Sequence, residues 1–184
     1  MKSLYFILFR CINILSVKLH IPSISAICIF FLLRTYKNIH YKKPTSKTVI
    51  VLYRHDGLAD LSEAYRNKVS DVKYLILPRI ILKDIFNHYL RLQVTDYCYK
   101  DIGDLETREN KKKYYNYLKS CISTLKKIIK FDAILSFNIF YCAERELQKV
   151  SKNLSIKYLV LMKEGISPKI RDKQLTWTIK NLSG

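Results

Sequence analysis

Four short apolar runs recur along the chain, each bounded by polar or turn-forming residues. They lie at 48–53 (TVIVLY), 72–77 (VKYLIL), 133–137 (AILSF) and 156–161 (IKYLVL). Continuous β-branched and aliphatic runs of this length are typical of strands that are buried on both faces, as in a parallel sheet. The pattern therefore predicts a parallel sheet of about four strands.

The segments between these runs carry apolar residues at helical spacing. Leu82, Ile85, Phe86 and Tyr89 are separated by three, one and three positions, so they share one helix face. Strands that alternate with helices predict an α/β fold, here a Rossmann-like, doubly wound parallel sheet flanked by helices over residues 48–170. Further helices are predicted at 59–68, 111–130 and 141–153, and the acidic stretch 94–109 is predicted to be a loop.

Residues 1–43 differ from the rest of the chain because they are basic, strongly apolar and free of acid. The first acidic residue is Asp56, and the positive residues up to Arg54 carry nine of the net eighteen charges. Apolar runs at 4–9 and 21–33 predict an apolar amino-terminal helical segment. The longer run has thirteen residues, whereas a membrane-spanning helix needs about 20.

Three arrangements of this segment stay open. A helical hairpin could lie in the membrane interface, with its basic residues at anionic lipid headgroups. A short membrane span with its basic flank inside is the second, and two helices packed on the α/β domain are the third. The first two place the protein at the cytoplasmic face of the inner membrane, either peripherally or through a single short span. An anionic membrane surface is therefore a predicted partner.

The net charge of +18, from 33 basic and 15 acidic side chains, also raises the question of nucleic acid. The lysines fall on helix faces opposite apolar stripes, where solvation explains them. They are not interleaved with aromatic residues on one sheet face, as a single-strand binder requires. Nucleic acid is therefore not the expected partner, and a basic nucleic-acid-binding module stays a minor alternative.

No signature of a metal site or a cofactor site is present in the sequence. The five cysteines are widely spaced, without a CxxC pair or a Cys/His ligand cluster. The loop at 54–60 (RHDGLAD) lacks the G-x-G-x-x-G spacing of dinucleotide sites and the lysine and serine of a P-loop. We therefore expect no bound metal and no cofactor.

Polar segments follow three of the predicted strands. In open parallel sheets, ligands bind beyond the carboxyl ends of the strands, and this rule selects 54–60, 136–141 and 162–167. Acid, base or acceptor-contacting roles are predicted for His55, Asp56 and Asp60. The alternative is that Asp60 caps the following helix and that Asp56 forms a turn. The further substrate-binding candidates share a place just after a strand: Arg54, Gly57, Ser136, Asn138, Lys163, Glu164 and Ser167.

The same segments carry a resemblance to a known group of proteins. Residues 136–147 (SFNIFYCAEREL) and 160–168 (VLMKEGISP) resemble the amino-terminal half of bacterial GT-B-like proteins of surface-polysaccharide biosynthesis, close to capsule and teichoic-acid-type transferases. Residues 54–60 resemble the first loop of heptosyltransferase-type enzymes, with Ala59 where those enzymes have glycine.

The resemblance implies one half of a two-domain enzyme. In that group two Rossmann-like domains enclose a cleft, the first meeting the acceptor and the second binding the nucleotide-activated donor. Residues 48–170 correspond to the first domain, and 171–184 form a tail that we expect to be truncated. The implied partners are a carbohydrate or lipid-linked acceptor and a second, donor-binding domain. Alone, the chain is expected to be inactive; the alternative is a non-catalytic, membrane-associated remnant or scaffold.

Overall fold

The structure is a computed structural model, and it describes residues 2–35, 47–53, 72–90, 108–137 and 142–161. These residues form five helices and four strands. In chain order they are α1 (Lys2–Lys18), α2 (Pro22–Thr35), β1 (Lys47–Tyr53), β2 (Val72–Pro78), α3 (Arg79–Leu90), α4 (Arg108–Ile128), β3 (Ala133–Ser136), α5 (Cys142–Asn153) and β4 (Lys157–Val160).

The four strands form one parallel sheet in the order β2-β1-β3-β4. Strand β1 is central: Val51 lies opposite Ile76 of β2 on one side and opposite Leu135 of β3 on the other. Parallel neighbours need long crossovers, usually helical, and α5 supplies the one from β3 to β4. The predicted fold class, a Rossmann-like parallel sheet of about four strands flanked by helices, is confirmed.

Two apolar clusters lie on opposite faces of this sheet, because successive side chains of a strand point to opposite sides. The larger cluster contains Ile50 and Leu52 of β1 and joins them to buried residues of all five helices. The smaller cluster contains Val49 and Val51, together with Ile76 of β2. Strand β1 is thus buried on both faces, which is why its sequence is a continuous apolar run and not an alternating one.

The helix boundaries differ from the predicted ones at α4. This helix begins at Arg108, inside the stretch predicted to be a loop. Glu109 lies in its first turn, where a negative charge is favourable, and pairs with Lys113 one turn later at 2.7 Å. The helix predicted at 59–68 lies outside the described residues, and so do residues 94–107 of the predicted loop.

Helices α1 and α2 form a hairpin that packs on α3, α4 and β2. The turn between them is a Schellman motif: the N–H of His20 donates to Val17 and the N–H of Ile21 donates to Ser16. His20 takes the left-handed conformation this motif needs, with φ of 55°. Its Nδ1 lies 2.8 Å from the Tyr89 hydroxyl of α3. Within the described part of the chain, no helix is long and apolar enough to cross a membrane.

A triangle of buried hydroxyls fixes the hairpin on α4. The Ser25 and Ser16 hydroxyls are 3.0 Å apart, and they lie 2.7 and 3.0 Å from the hydroxyl of Tyr117. Ser16 also donates to the carbonyl of Ile21 at 2.5 Å. Burial raises the pKa of Tyr117, which keeps its phenol neutral and able to donate. Each polar group is therefore satisfied inside the core.

Replacing Tyr117 by Phe tests how strongly this triangle holds the hairpin. The substitution leaves two buried serine hydroxyls with one partner fewer, so we expect the free energy of unfolding to fall by about 1–3 kcal/mol. Urea denaturation followed by circular dichroism measures the change. The matched control is Tyr115→Phe, since the Tyr115 hydroxyl accepts only an exposed bond from Asn153. An equal loss in both variants would contradict the assigned role.

Candidate functional site

The carboxyl ends of all four strands lie at one edge of the sheet. Tyr53 pairs with Pro78, and Ser136 pairs with Val160. The chain passes from β1 to β2 on one side and then returns across β1 to β3 on the other. The space between β1 and β3 is therefore a topological switch point, where parallel α/β sheets bind their ligands.

The predicted site segments start at this edge. Segment 54–60 directly follows Tyr53, segment 138–141 follows Phe137, and segment 162–167 follows Leu161. Among the predicted site residues, Ser136 is the one that the structure describes. The remaining ones lie outside the described residues: Arg54, His55, Asp56, Gly57, Asp60, Asn138, Lys163, Glu164 and Ser167.

Ser136 is buried at the end of β3, with 2% of its surface exposed. Its carbonyl accepts a hydrogen bond from the N–H of Leu161 at 2.9 Å, which extends the pairing of β3 and β4 beyond the last strand residues. Its side chain is hydrogen-bonded to the hydroxyl of Tyr158 on β4. Ser136 thus contributes to the floor of the switch point, where it orients Tyr158.

An ion pair at the same edge joins the end of β2 to the start of α5. The Arg79 side chain, on the first residue after β2, forms a two-pronged contact with the Glu144 carboxylate in the first turn of α5. The second prong, from Nη2 to Oε2, measures 3.2 Å, and the Glu144 side chain is only 4% exposed. Since β2 and α5 lie on opposite sides of β1, the pair ties the two halves of the sheet together.

Tyr158 connects this ion pair to Ser136. Its hydroxyl donates to the main-chain carbonyl of Glu144 at 3.3 Å. Burial raises the pKa of Tyr158, and the hydrogen bond from Ser136 works in the opposite direction. The phenol stays neutral well above physiological pH. We refer to Arg79, Ser136, Glu144 and Tyr158 as the edge cluster.

The edge cluster positions two helix amino termini beside the switch point. Helix α3 begins at Arg79, directly after β2, and α5 begins at Cys142, six residues after β3 ends. The free N–H groups at a helix amino terminus favour negative groups. Glu144 already supplies one negative charge there, and Arg79 neutralises it, so the two termini keep their preference for an additional anion such as a phosphate.

Sequence reasoning missed Arg79, Glu144 and Tyr158. The carboxyl-end rule was applied to the first, third and fourth strands; applied to the second, it selects Arg79 as the first residue after Pro78. Glu144 lies within the stretch that carries the resemblance, but nothing in the sequence shows that Arg79 reaches it. Among the residues that the structure describes, no group of three or more His, Cys, Asp or Glu could hold a metal ion.

Comparison with known proteins identified no protein similar to this chain. A scan against protein-family models, a search of curated proteins and a search of solved structures each gave no match.

Glu144→Gln and Arg79→Met test whether the ion pair stabilises this edge of the sheet. Arg79→Met leaves the buried Glu144 carboxylate without this cation, which is expected to lower the free energy of unfolding by about 3–5 kcal/mol. Glu144→Gln should cost less, because the Arg79 side chain is 21% exposed. The double variant should lose less than the sum of the two single losses, because it leaves neither charge alone. Urea denaturation of the four proteins measures this coupling.

The exposed Glu109–Lys113 pair is the matched control, and Glu109→Gln should leave the denaturation midpoint unchanged. Additive losses in the Arg79 and Glu144 cycle would show that the pair does not act as a unit.

Proposed function

We propose that this chain is the acceptor-side domain of a glycosyltransferase-like protein in cell-surface polysaccharide biosynthesis. It acts at the cytoplasmic face of the inner membrane, on a carbohydrate or lipid-linked acceptor. A second domain binds the activated sugar donor, and sugar transfer requires both domains. The observation that carries the proposal is the switch point between β1 and β3, because the three polar segments that resemble GT-B-like proteins all follow strand ends at this edge.

The chemistry of the neighbouring residues fits this role. His55, Asp56 and Asp60 follow β1 in sequence, and an imidazole or a carboxylate can take the proton of an acceptor hydroxyl as it attacks the sugar. The amino termini of α3 and α5 favour the phosphate of a lipid-linked acceptor. The neutral Arg79–Glu144 pair holds both termini in place without cancelling that preference.

Isothermal titration calorimetry tests whether this domain binds the acceptor and not the sugar donor. With UDP-glucose, UDP-N-acetylglucosamine and dTDP-rhamnose as probes, the chain should show no tight binding, because the donor site belongs to a second domain. A water-soluble short-chain prenyl diphosphate that carries N-acetylglucosamine should bind, and Asp60→Asn or His55→Gln should weaken it at least threefold. Micromolar affinity for any of the nucleotide-sugars would overturn the proposal.

Glu109→Gln, on the exposed start of α4, is the control for a general loss of negative charge. A prenyl diphosphate probe that fails to bind wild-type protein would also count against an acceptor-side function.

A further inference from the structure

Helix α1 turns large apolar residues toward solvent as well as toward the core, unlike a typical helix on a protein surface. Its inner side combines apolar residues that pack on the core with the polar Arg10, Asn13 and Ser16, of which Asn13 and Ser16 are buried. Its outer side carries large apolar residues, and Leu4, Leu8 and Leu15 are 72, 51 and 55% exposed. A surface helix normally turns its apolar stripe toward the core. An apolar stripe turned outward marks an interaction surface.

The inner polar groups are held by specific partners, so the helix is not simply rotated the wrong way. Arg10 forms a two-pronged ion pair with Asp84 of α3, at 2.8 and 3.0 Å. Asn13 donates to the carbonyl of Ile81 at 3.4 Å. These contacts fix the face that α1 presents to α3. The outward direction of the leucines is therefore determined by the fold.

The exposed apolar surface continues from α1 onto α2. Phe9 stacks on Phe31 with ring centroids 5.4 Å apart, and Phe31 contacts Phe30 edge-to-face at 5.5 Å. We call six of the exposed apolar residues on the two helices the outer stripe: Leu4, Ile7, Leu8, Leu15, Ile27 and Phe31.

A basic groove adjoins the outer stripe at the end of α2. The guanidinium of Arg34 lies 4.9 Å above the Phe30 ring, and both residues line a groove of about 480 Å³. Lys73 at the start of β2 and Lys130 after α4 line the same groove, whose apolar floor includes Leu33 and Leu75. Among its described lining residues, three are cations and none is acidic.

Charge indicates what covers the outer stripe. A second copy of this chain, related by a two-fold axis, would bring one basic hairpin against another, which costs binding energy. The hairpin adds no compensating acid, since residues 2–35 contain four basic residues and no Asp or Glu. An anionic surface, by contrast, complements both the groove and the exposed Lys18 at the end of α1.

We propose that the α1–α2 hairpin binds the surface of an anionic bilayer. The outer stripe lies at the boundary of headgroups and acyl chains, and Arg34, Lys73 and Lys130 bind headgroup phosphates. An amphipathic element that lies in the interface in this way binds through its apolar area and through attraction to anionic lipid. The inference rests on the proposed location at the membrane, and it identifies the surface and the lipid class involved.

Vesicle flotation tests the apolar contribution. Wild-type chain should float with vesicles of equal parts phosphatidylglycerol and phosphatidylcholine. The variant with Leu8→Gln and Leu15→Gln should bind at least tenfold more weakly, because two exposed leucines no longer leave water. Since both positions are already exposed, the fold should be retained. The matched control is Leu159→Gln, which replaces a leucine of similar exposure (45%) on β4, and it should float like wild type.

The groove is tested in the same assay by Lys73→Gln with Lys130→Gln. Each cation near an anionic surface contributes about fivefold in affinity at low salt, so the double variant should bind roughly 25-fold more weakly. Its residual binding to pure phosphatidylcholine should be unchanged. Lys157→Gln is the control for net charge. Lys157 is exposed at the start of β4, which lies at the opposite edge of the sheet from β2.

Cys11 provides a direct report on the outer stripe. It is exposed, three residues after Leu8 and four before Leu15, whereas Cys28 and Cys121 are buried. Burial raises the pKa of the Cys28 thiol to about 11 and that of Cys121 to about 12, which makes both poor nucleophiles at pH 7.5. With Cys98 and Cys142 changed to serine, an environment-sensitive maleimide dye should label Cys11 and shift its emission to the blue on anionic vesicles.

Three results would overturn the proposal that the outer stripe binds an anionic bilayer. They are a wild-type chain that does not float, a leucine variant that floats like wild type, and a dimer in light scattering that the leucine variant converts to monomer. The last result would assign the outer stripe to a second copy. They count against the membrane location, but they do not decide the acceptor-side function, whose titrations use a soluble probe without vesicles.

Discussion

The burial of β1 on both faces and along both edges is the constraint on which the other elements depend. A strand with a parallel neighbour on each side and an apolar cluster on each face cannot satisfy its backbone or its side chains alone. Val51 illustrates this, because it pairs with both Ile76 and Leu135 and has no exposed surface. Parallel pairing in turn brings every carboxyl end to one edge. The polar segments after the strands therefore start close together, although they are far apart in the sequence.

This constraint also explains which parts of the fold could be predicted. Continuous apolar runs mark strands buried on both faces, and two of the four observed strands begin at the predicted residue while the other two begin within one residue of it. Helix α4 was placed correctly except at its first turn, because Arg108, Glu109 and Asn110 carry no apolar residue and resemble the preceding loop. The charge of Glu109 near the helix start and its exposed pair with Lys113 are compatible with this extra turn but contribute little free energy. Apolar periodicity does not mark a helical turn that contains no apolar residue.

The candidate site was less predictable than the fold because its described members act through long-range pairs. Arg79 and Glu144 are 65 positions apart, and only the order β2-β1-β3 brings the ends of their elements together. Ser136 was selected for its hydroxyl, yet that hydroxyl is bonded to Tyr158 in the floor of the edge. A carboxyl-end rule locates the region in which a ligand binds, but whether a side chain there supports the edge or faces the ligand is decided by tertiary packing.

The orientation of the hairpin follows the same logic, with a consequence for the charge of the chain. Apolar residues occupy nearly every position of α1, so periodicity alone could not decide which side is buried. The deciding groups are Arg10, Asn13 and Ser16, spaced three apart, and each meets a partner on α3 or α4. Asp84 neutralises Arg10, so the positive potential of the hairpin comes from its remaining basic residues, including Lys18 and Arg34 at the carboxyl ends of α1 and α2. The basic residues of this hairpin therefore have two different roles. Arg10 stabilises the packing of α1 on α3, whereas the exposed Lys18 and Arg34 lie beside the apolar residues of the outer surface. The proposed binding to anionic lipid depends on this separation of roles, because an evenly solvated basic surface would offer no apolar area to the bilayer.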